Sequence, residues 1–378
     1  MKITGRKRWL FGLAGWLMLA LSAAGQKPPL YKEWENYTTK NGMPDEKVLG
    51  VTVDGDRVWA GTESGLVLIE KGRVARVLTP ADGLANRVVT GIAVDKATGD
   101  VWISTFGGIS QYSGGIFKNY TNLSSGLAND VVYGIAVQGN NIWAATTAGI
   151  SRMNKRTGEW TIVSEKDAPM NEPWTYGIAV APDESKVYFA VWGGGVLEYD
   201  VAGDYWRPYR DPDGQMEIVL FRNQGLIHDI VANISYNSDT RMFWAATYFG
   251  LSGYDGRNWH NYLSTDSGLA SDFVNATKSR GDEVWACTDK GLSFLNYKTN
   301  TWVTYRPDPK NERGEIVITG PDHKKTTLET ATSLAHNYIL NMDFQGDDVW
   351  VATSRGLSHG KRQSQKEGKS HEQTTGGN

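Results

Sequence analysis

Asp45, Asn86, Asn129, Glu172, His228, Ser271 and His336 stand 41 to 65 residues apart, and each is polar. Each lies five positions ahead of a residue that opens an apolar stretch: Gly50, Gly91, Gly134, Gly177, Asn233, Ala276 and Asn341. One position on come Glu46, Arg87, Asp130, Pro173, Asp229, Asp272 and Asn337, rich in acid with a single cation. If the chain brings these positions together, three chemistries become available. Glu172 or His228 could act as general base, with Arg87 stabilising an anion. His228, His336 and Glu172 could share a zinc or copper ion. Aromatic faces among the same positions (Phe106, Trp174, Trp192, Tyr248, Phe249) suit a sugar or another flat or amphipathic ligand. The bland alternative is that Asn, Asp and Ser cap strand starts and turns.

The elements that must position these residues are legible as a repeat. WAGTESGL at Trp59 returns as WISTFGGI at Trp102, WAATTAGI at Trp143, FAVWGGGV at Phe189, WAATYFGL at Trp244, WACTDKGL at Trp285 and WVATSRGL at Trp350. The spacings are 43, 41, 46, 55, 41 and 65 residues. Four of them match one four-stranded propeller blade, and two match a blade with an insertion. Within a copy, an apolar strand meets a short polar turn and a second strand starts at glycine, which tolerates positive φ. An apolar strand with a GLA-type lead-in precedes each copy, and an aromatic strand such as IFKNYT or EWTIVS follows. Each unit therefore reads as strands a, b, c and d.

The last unit lacks strand d, while YKEWENYT near the N-terminus supplies a matching aromatic strand. Residues 31–38 are thus expected to complete blade seven and close the ring, removing exposed edges. The fold expected is all-β, a seven-bladed propeller of four-stranded antiparallel blades spanning residues 26–358. In that fold the lead-in to strand a and the b–c turn share one face, around the mouth of a central channel. Blade four departs most, with Phe189 in the place of tryptophan and Trp192 in that of threonine.

The pattern W-x-[GAS]-T-x-x-G-[LI] with its G-L-x-x-x-x-V lead-in resembles the two-component regulator propeller repeat, over roughly residues 31 to 358. That family builds extracytoplasmic sensor parts of bacterial hybrid regulators and some free-standing secreted propellers. The resemblance implies a propeller outside the cytoplasm that hands its signal to a partner. The motif speaks for architecture and carries little chemistry of its own.

Lys2, Arg6, Lys7 and Arg8 precede an apolar run from Trp9 to Leu21 and small residues at Ala23, Ala24 and Gly25. This reads as a secretory signal peptide, residues 1–25, whose removal leaves no membrane insertion. Its loss takes four positive charges and no acid from a chain with 39 basic and 42 acidic residues. A mildly acidic body without a basic run is a poor match for nucleic acid. The lone Cys287, inside WACT, reads as a buried core thiol. Residues 359–378 are polar and expected to be disordered.

The insertions at 211–225 (DPDGQMEIVLFRNQG) and 311–325 (NERGEIVITGPDHKK) each contain a short β-rich run between turn residues. Both are expected to rise on the mouth face, beside His228 and near His336. No nucleophile elbow, HExxH, haem or phosphate-loop motif occurs, and no cofactor is expected. DPDG lacks the regular ligand spacing of a calcium loop. Four histidines lie between residues 26 and 358, of which only His228 and His336 fall on the ring. The reading that follows is a non-catalytic propeller outside the cytoplasm. It would bind a glycan, a peptide or a secreted or membrane protein partner at the mouth, through Asp45, Asn86, Arg87, Asn129, Glu172, Trp174, Trp192, His228, Tyr248, Phe249 and His336. A lyase or hydrolase at the same mouth is the alternative, and a scaffold docking another secreted protein is a third.

Overall fold

The repeated hairpin has a physical reason in its threonine. In the computed structural model, the Thr62 hydroxyl donates to the Gly65 carbonyl and accepts the N–H of Ser64. The same pair of bonds recurs at Thr105, Thr146, Thr247, Thr288 and Thr353. These threonines are fully buried, so the hydroxyl satisfies itself while bracing the turn. Gly65 has φ of 139°, and a Cβ there would come within 2.7 Å of the Leu78 carbonyl. Strand, brace and glycine together make the turn a two-residue one.

The structure describes residues 28, 30–215, 221–308 and 313–362. They form seven antiparallel sheets, six of four strands and one of six. The first strand of each unit is innermost: Val48–Asp54, Val89–Val94, Val132–Gln138, Thr175–Val180, Val231–Asn237, Val274–Arg280 and Ile339–Gln345. Each touches the next, and the last touches the first, so the ring is closed around a channel. Closure is covalent-chain economy of the expected kind: Tyr31–Tyr37 pairs antiparallel with Gly356–Arg362 and becomes strand d of blade seven. Strand c of that blade continues past 358, and His359 is 9% exposed and stacked on Trp350 at 4.2 Å. The polar tail therefore cannot begin at 359. Residues 363–378, like the leader at 1–25, lie outside the described residues.

The core lies between blades. Trp59 (2% exposed) packs with Leu66, Val89, Val101 and Ile103, joining blade one to blade two. Trp143, Trp244 and Trp285 occupy equivalent gaps and are fully buried. The lead-in leucines (Leu84, Leu127, Leu226, Leu269, Leu334) are each 4% exposed or less. Just after them, the N–H groups of Ala85, Ala128, Ile227, Ala270 and Ala335 donate to buried strand-c serines (Ser110, Ser151, Ser252, Ser293, Ser358). Those bonds stitch each lead-in to the blade it enters, so the lead-in is rigid where it reaches the mouth.

Blade four corrects the sequence alignment by one residue. Tyr188, not Phe189, pairs with Ala179 as Trp59 pairs with Thr52. Val191 pairs with Gly195 as Thr62 pairs with Gly65, so valine holds the threonine's place. Trp192 is then the first residue of a turn one residue longer than the others. FAVWGGGV fits the motif at either register by composition, and the extra glycine hides the longer turn.

The second insertion differs from expectation. Gly314–Thr319 and Lys325–Thr330 form a hairpin that adds two strands to the outer edge of blade six, away from the channel. Ile316 (1% exposed) packs with Tyr31 and Trp34 of the closing strand. The Trp34 N–H donates to Thr332 Oγ1 at 2.8 Å and Asn36 Nδ2 to the Ser333 carbonyl at 3.0 Å. The hairpin is a clasp on the ring closure rather than a lid over the mouth. In the first insertion, Met216–Leu220 lie outside the described residues, and Arg222 reaches outward to the Asn261 carbonyl on the outer strand of blade five.

Candidate functional site

Most of the polar ring holds turns. Asp45 Oδ1, Asn86 Oδ1, Asn129 Oδ1, His228 Nδ1, Ser271 Oγ and His336 Nδ1 each accept the N–H two residues on, at 2.8 to 3.3 Å. One device recurs six times, with aspartate, asparagine, serine and histidine as interchangeable acceptors. His228 is 3% exposed and stacked on Phe249 at 4.3 Å. His336 is also in contact with Ser354 Oγ at 2.8 Å, and burial, then the Arg355 charge, hold its pKa below the usual imidazole range. Arg87 Nη1 donates to the Glu63 carbonyl at 2.8 Å, on blade one. Of the expected site residues, then, Asp45, Asn86, Asn129, His228 and His336 are spoken for by the backbone.

Glu172 is the exception. It is exposed, and it has no hydrogen-bond or ion-pair partner among the described residues. Its Cγ lies 3.6 Å from where a side chain on Gly193 would begin, so it stands against the blade-four turn.

The turn beside it carries the aromatic side chains. The Trp192 N–H donates to the Trp174 carbonyl at 2.8 Å, continuing the pairing of strands a and b by one more step. Both indoles are thereby raised at the mouth, with Trp174 43% exposed. From this pair an arc of rings runs both ways. Tyr176 lies 5.1 Å from Trp192 and is stacked on Tyr133 at 4.3 Å, and Tyr133 meets Phe106 edge-on at 5.6 Å. In the other direction Trp192 meets Tyr248 at 4.8 Å and 87°, and Tyr248 lies 3.8 Å from Phe273. Phe106, Trp174, Trp192 and Tyr248 were legible in the sequence as breaks in the repeat. Tyr133, Tyr176 and Phe273 were missed. The signal lay in VVYGIAV and WTYGIAV, where tyrosine stands before the aligned glycine and other blades have Leu49, Thr90, Ala232, Asn275 or Leu340.

Below the arc the channel is a cavity of about 320 Å³. Its wall is mostly backbone and small polar side chains, with Tyr133 and Tyr176 at one side and Lys278 ion-paired to Asp343 at 3.0 Å. Outside the arc, Asp211 and Asp229 sit together between blades four and five, and the Asp211 N–H donates to Asp229 Oδ1 at 2.8 Å. Burial pushes the Asp211 carboxyl up to about 6, and the charges of Asp213 and Asp229 add to this. Burial also raises Asp229. No group of three or more His, Cys, Asp or Glu among the described residues could hold a metal ion. His228, His336 and Glu172 do not converge, and DPDG folds as consecutive Asx turns. Cys287 is fully buried, and its thiol pKa is raised by burial.

No helix among the described residues is long and apolar enough to cross a membrane. No protein-family model and no curated protein matches the chain. Solved structures do. The extracellular domain of a putative one-component system from B. thetaiotaomicron superposes with a TM-score of 0.66 at 16% identity, over 89% of this chain and 40% of that one. That of a putative hybrid two-component system from the same organism gives 0.65 at 17%, over 88% and 41%. Virginiamycin B lyase from Staphylococcus aureus gives 0.59 at 15%, over 86% and 98%. The chain thus spans about two fifths of the length of the first two. The resemblance of its repeat to the two-component regulator propeller is matched in three dimensions: the chain has the seven-bladed fold of the extracellular domains of such sensors.

Proposed function

We propose that this protein works outside the cytoplasm as a non-catalytic recognition propeller, binding a ligand that packs against aromatic rings at the channel mouth. The observation that carries the reading is the arc of rings from Phe106 to Phe273, centred on the exposed Trp174 and its neighbour Trp192. A protein that sets an indole half in water beside a run of contacting rings provides an aromatic surface for a partner's apolar face. Glycans, peptides and partner-protein side chains are the ligand classes such a surface serves. The location rests on the fold shared with extracellular sensor domains and on the leader read in the first 25 residues.

Lyase or hydrolase chemistry draws no support from the geometry, although one structural neighbour is a lyase. His228 is buried with Nδ1 taken by its own turn, and Arg87 points to the Glu63 carbonyl. Glu172 alone remains as a base, and Arg87, the cation expected to stabilise an anion, is engaged on blade one instead.

The test is a thermal-shift screen of the chain against glycan and peptide libraries, repeated with Trp174→Ala. A ligand at a hundred times its dissociation constant adds about 2.7 kcal/mol. A hit lost in Trp174→Ala is the expected result. A hit that survives both Trp174→Ala and Trp192→Ala would move the site away from the mouth.

A further inference from the structure

We infer that the mouth of blade four selects a ligand bearing an organic ammonium group, a deepening that rests on the recognition reading above. Three observations converge on one spot. Trp174 and Trp192 are cross-strand neighbours joined by a backbone hydrogen bond of 2.8 Å. Their rings do not lie in one plane: Trp174 meets Tyr176 at 64°, Tyr176 meets Trp192 at 32°, and Trp192 meets Tyr248 at 87°. Rings set at wide angles form walls, and walls of π-faces attract a cation through their quadrupoles.

The second observation is charge. Glu172 is exposed without a partner among the described residues, and its side chain lies against Gly193, directly after Trp192. At the equivalent positions of the other six blades the side chain accepts the N–H of its own turn, so blade four alone leaves this side chain for something outside.

The third is the surrounding field. Asp229 stands on the other flank of the same turn, its Oδ1 3.2 Å from where a side chain on Gly195 would begin, with Asp211 bonded to it. Arg210 donates to the Pro169 carbonyl, and its charge offsets part of that on Asp229 without a hydrogen bond to Glu172. An ammonium or quaternary ammonium group with its alkyl substituents against the indoles and its charge toward Glu172 satisfies all three. A neutral sugar could donate hydroxyls to the carboxylate but would bring no opposite charge to it.

The experiment titrates choline, its neutral isostere 3,3-dimethyl-1-butanol, and maltose into the full chain by calorimetry and tryptophan fluorescence. It is repeated with Glu172→Gln, Trp174→Ala and the control Glu63→Gln, an acid on the same face at blade one. Choline is expected to bind more tightly than the isostere. Glu172→Gln should weaken it roughly three- to ten-fold. Trp174→Ala should abolish detectable binding, and Glu63→Gln should leave it unchanged. Equal binding of choline and the isostere, or indifference to Glu172→Gln, would overturn the cation preference while leaving the mouth as the site. Maltose binding that is lost in Trp174→Ala alone would do the same in favour of a neutral glycan. No binding of choline at millimolar concentration would overturn the inference, and the library screen would then judge the mouth separately.

Discussion

Lys47 and Glu63 in blade one occupy the same two repeat positions as Trp174 and Trp192 in blade four, and they form an ion pair at 2.8 Å where blade four places two indoles on either side of the Tyr176 ring. One scaffold position thus carries charge at one side of the ring and aromatic surface at the other. The scaffold is indifferent to the choice because both positions lie above the last brace of the hairpin. Replacing Lys47 by alanine is expected to change stability by less than about 1 kcal/mol, since both side chains are 40% exposed or more. Trp174→Ala is likewise expected to cost under about 1 kcal/mol while abolishing ligand-induced shifts in melting temperature. Urea unfolding of both variants checks this, and a large loss for Trp174→Ala would mean that the indole is structural.

The hairpin threonine makes the opposite prediction. Thr62 is fully buried, donates to Gly65 and accepts from Ser64. Thr62→Val removes the hydroxyl and leaves a buried carbonyl and a turn N–H short of a partner. The expected loss is about 1–3 kcal/mol by urea denaturation. Blade four shows the compensation nature uses: Val191 is followed by a turn one residue longer, with Gly193, Gly194 and Gly195. Thr62→Val with a glycine inserted after Glu63 should recover part of the loss.

The fold was largely legible because its hairpin is repeated in six blades and only varied in the seventh. A buried tryptophan, a braced threonine and a glycine at positive φ are local necessities, so any one copy states them and the others repeat them. The site was legible only in part, for two physical reasons. Polar residues at strand starts serve turns far more readily than ligands, and His228 and His336 turned out to do what Asn86 and Asn129 do. Tyr133 and Tyr176 were hidden because they stand in strand a, where an aromatic residue reads as core. Their rings reach the channel only because the innermost strands of a propeller have no neighbour on that side.

The clasp over the ring closure predicts a coupling. Ile316 packs on Tyr31 and Trp34, so Ile316→Ala should cost about 2–5 kcal/mol. Hydrogen exchange should locate the loss in Tyr31–Tyr37 and Gly356–Arg362 rather than spread it round the ring. Uniform loss of protection would show that blade six, not the closure, depends on the hairpin.

Asp211 sets a pH test. Its folded pKa of about 6 lies above its ordinary value because burial, with Asp213 and Asp229 beside it, disfavours the charged form. A raised carboxyl pKa means the folded state holds the proton more tightly than the unfolded chain does. The destabilisation is therefore complete at about pH 7 and above, shrinks as pH falls through 6, and is gone only near pH 3, below the ordinary carboxyl pKa, where both states are protonated. Asp211→Asn keeps an acceptor for the Asp213 N–H and removes the charge. Its melting temperature should exceed that of the unsubstituted chain at pH 8 and converge with it as the pH approaches about 3. A constant difference across that range would assign the effect to packing, and a lower melting temperature at pH 8 would mean that the ionised carboxylate is itself bonded favourably in the fold.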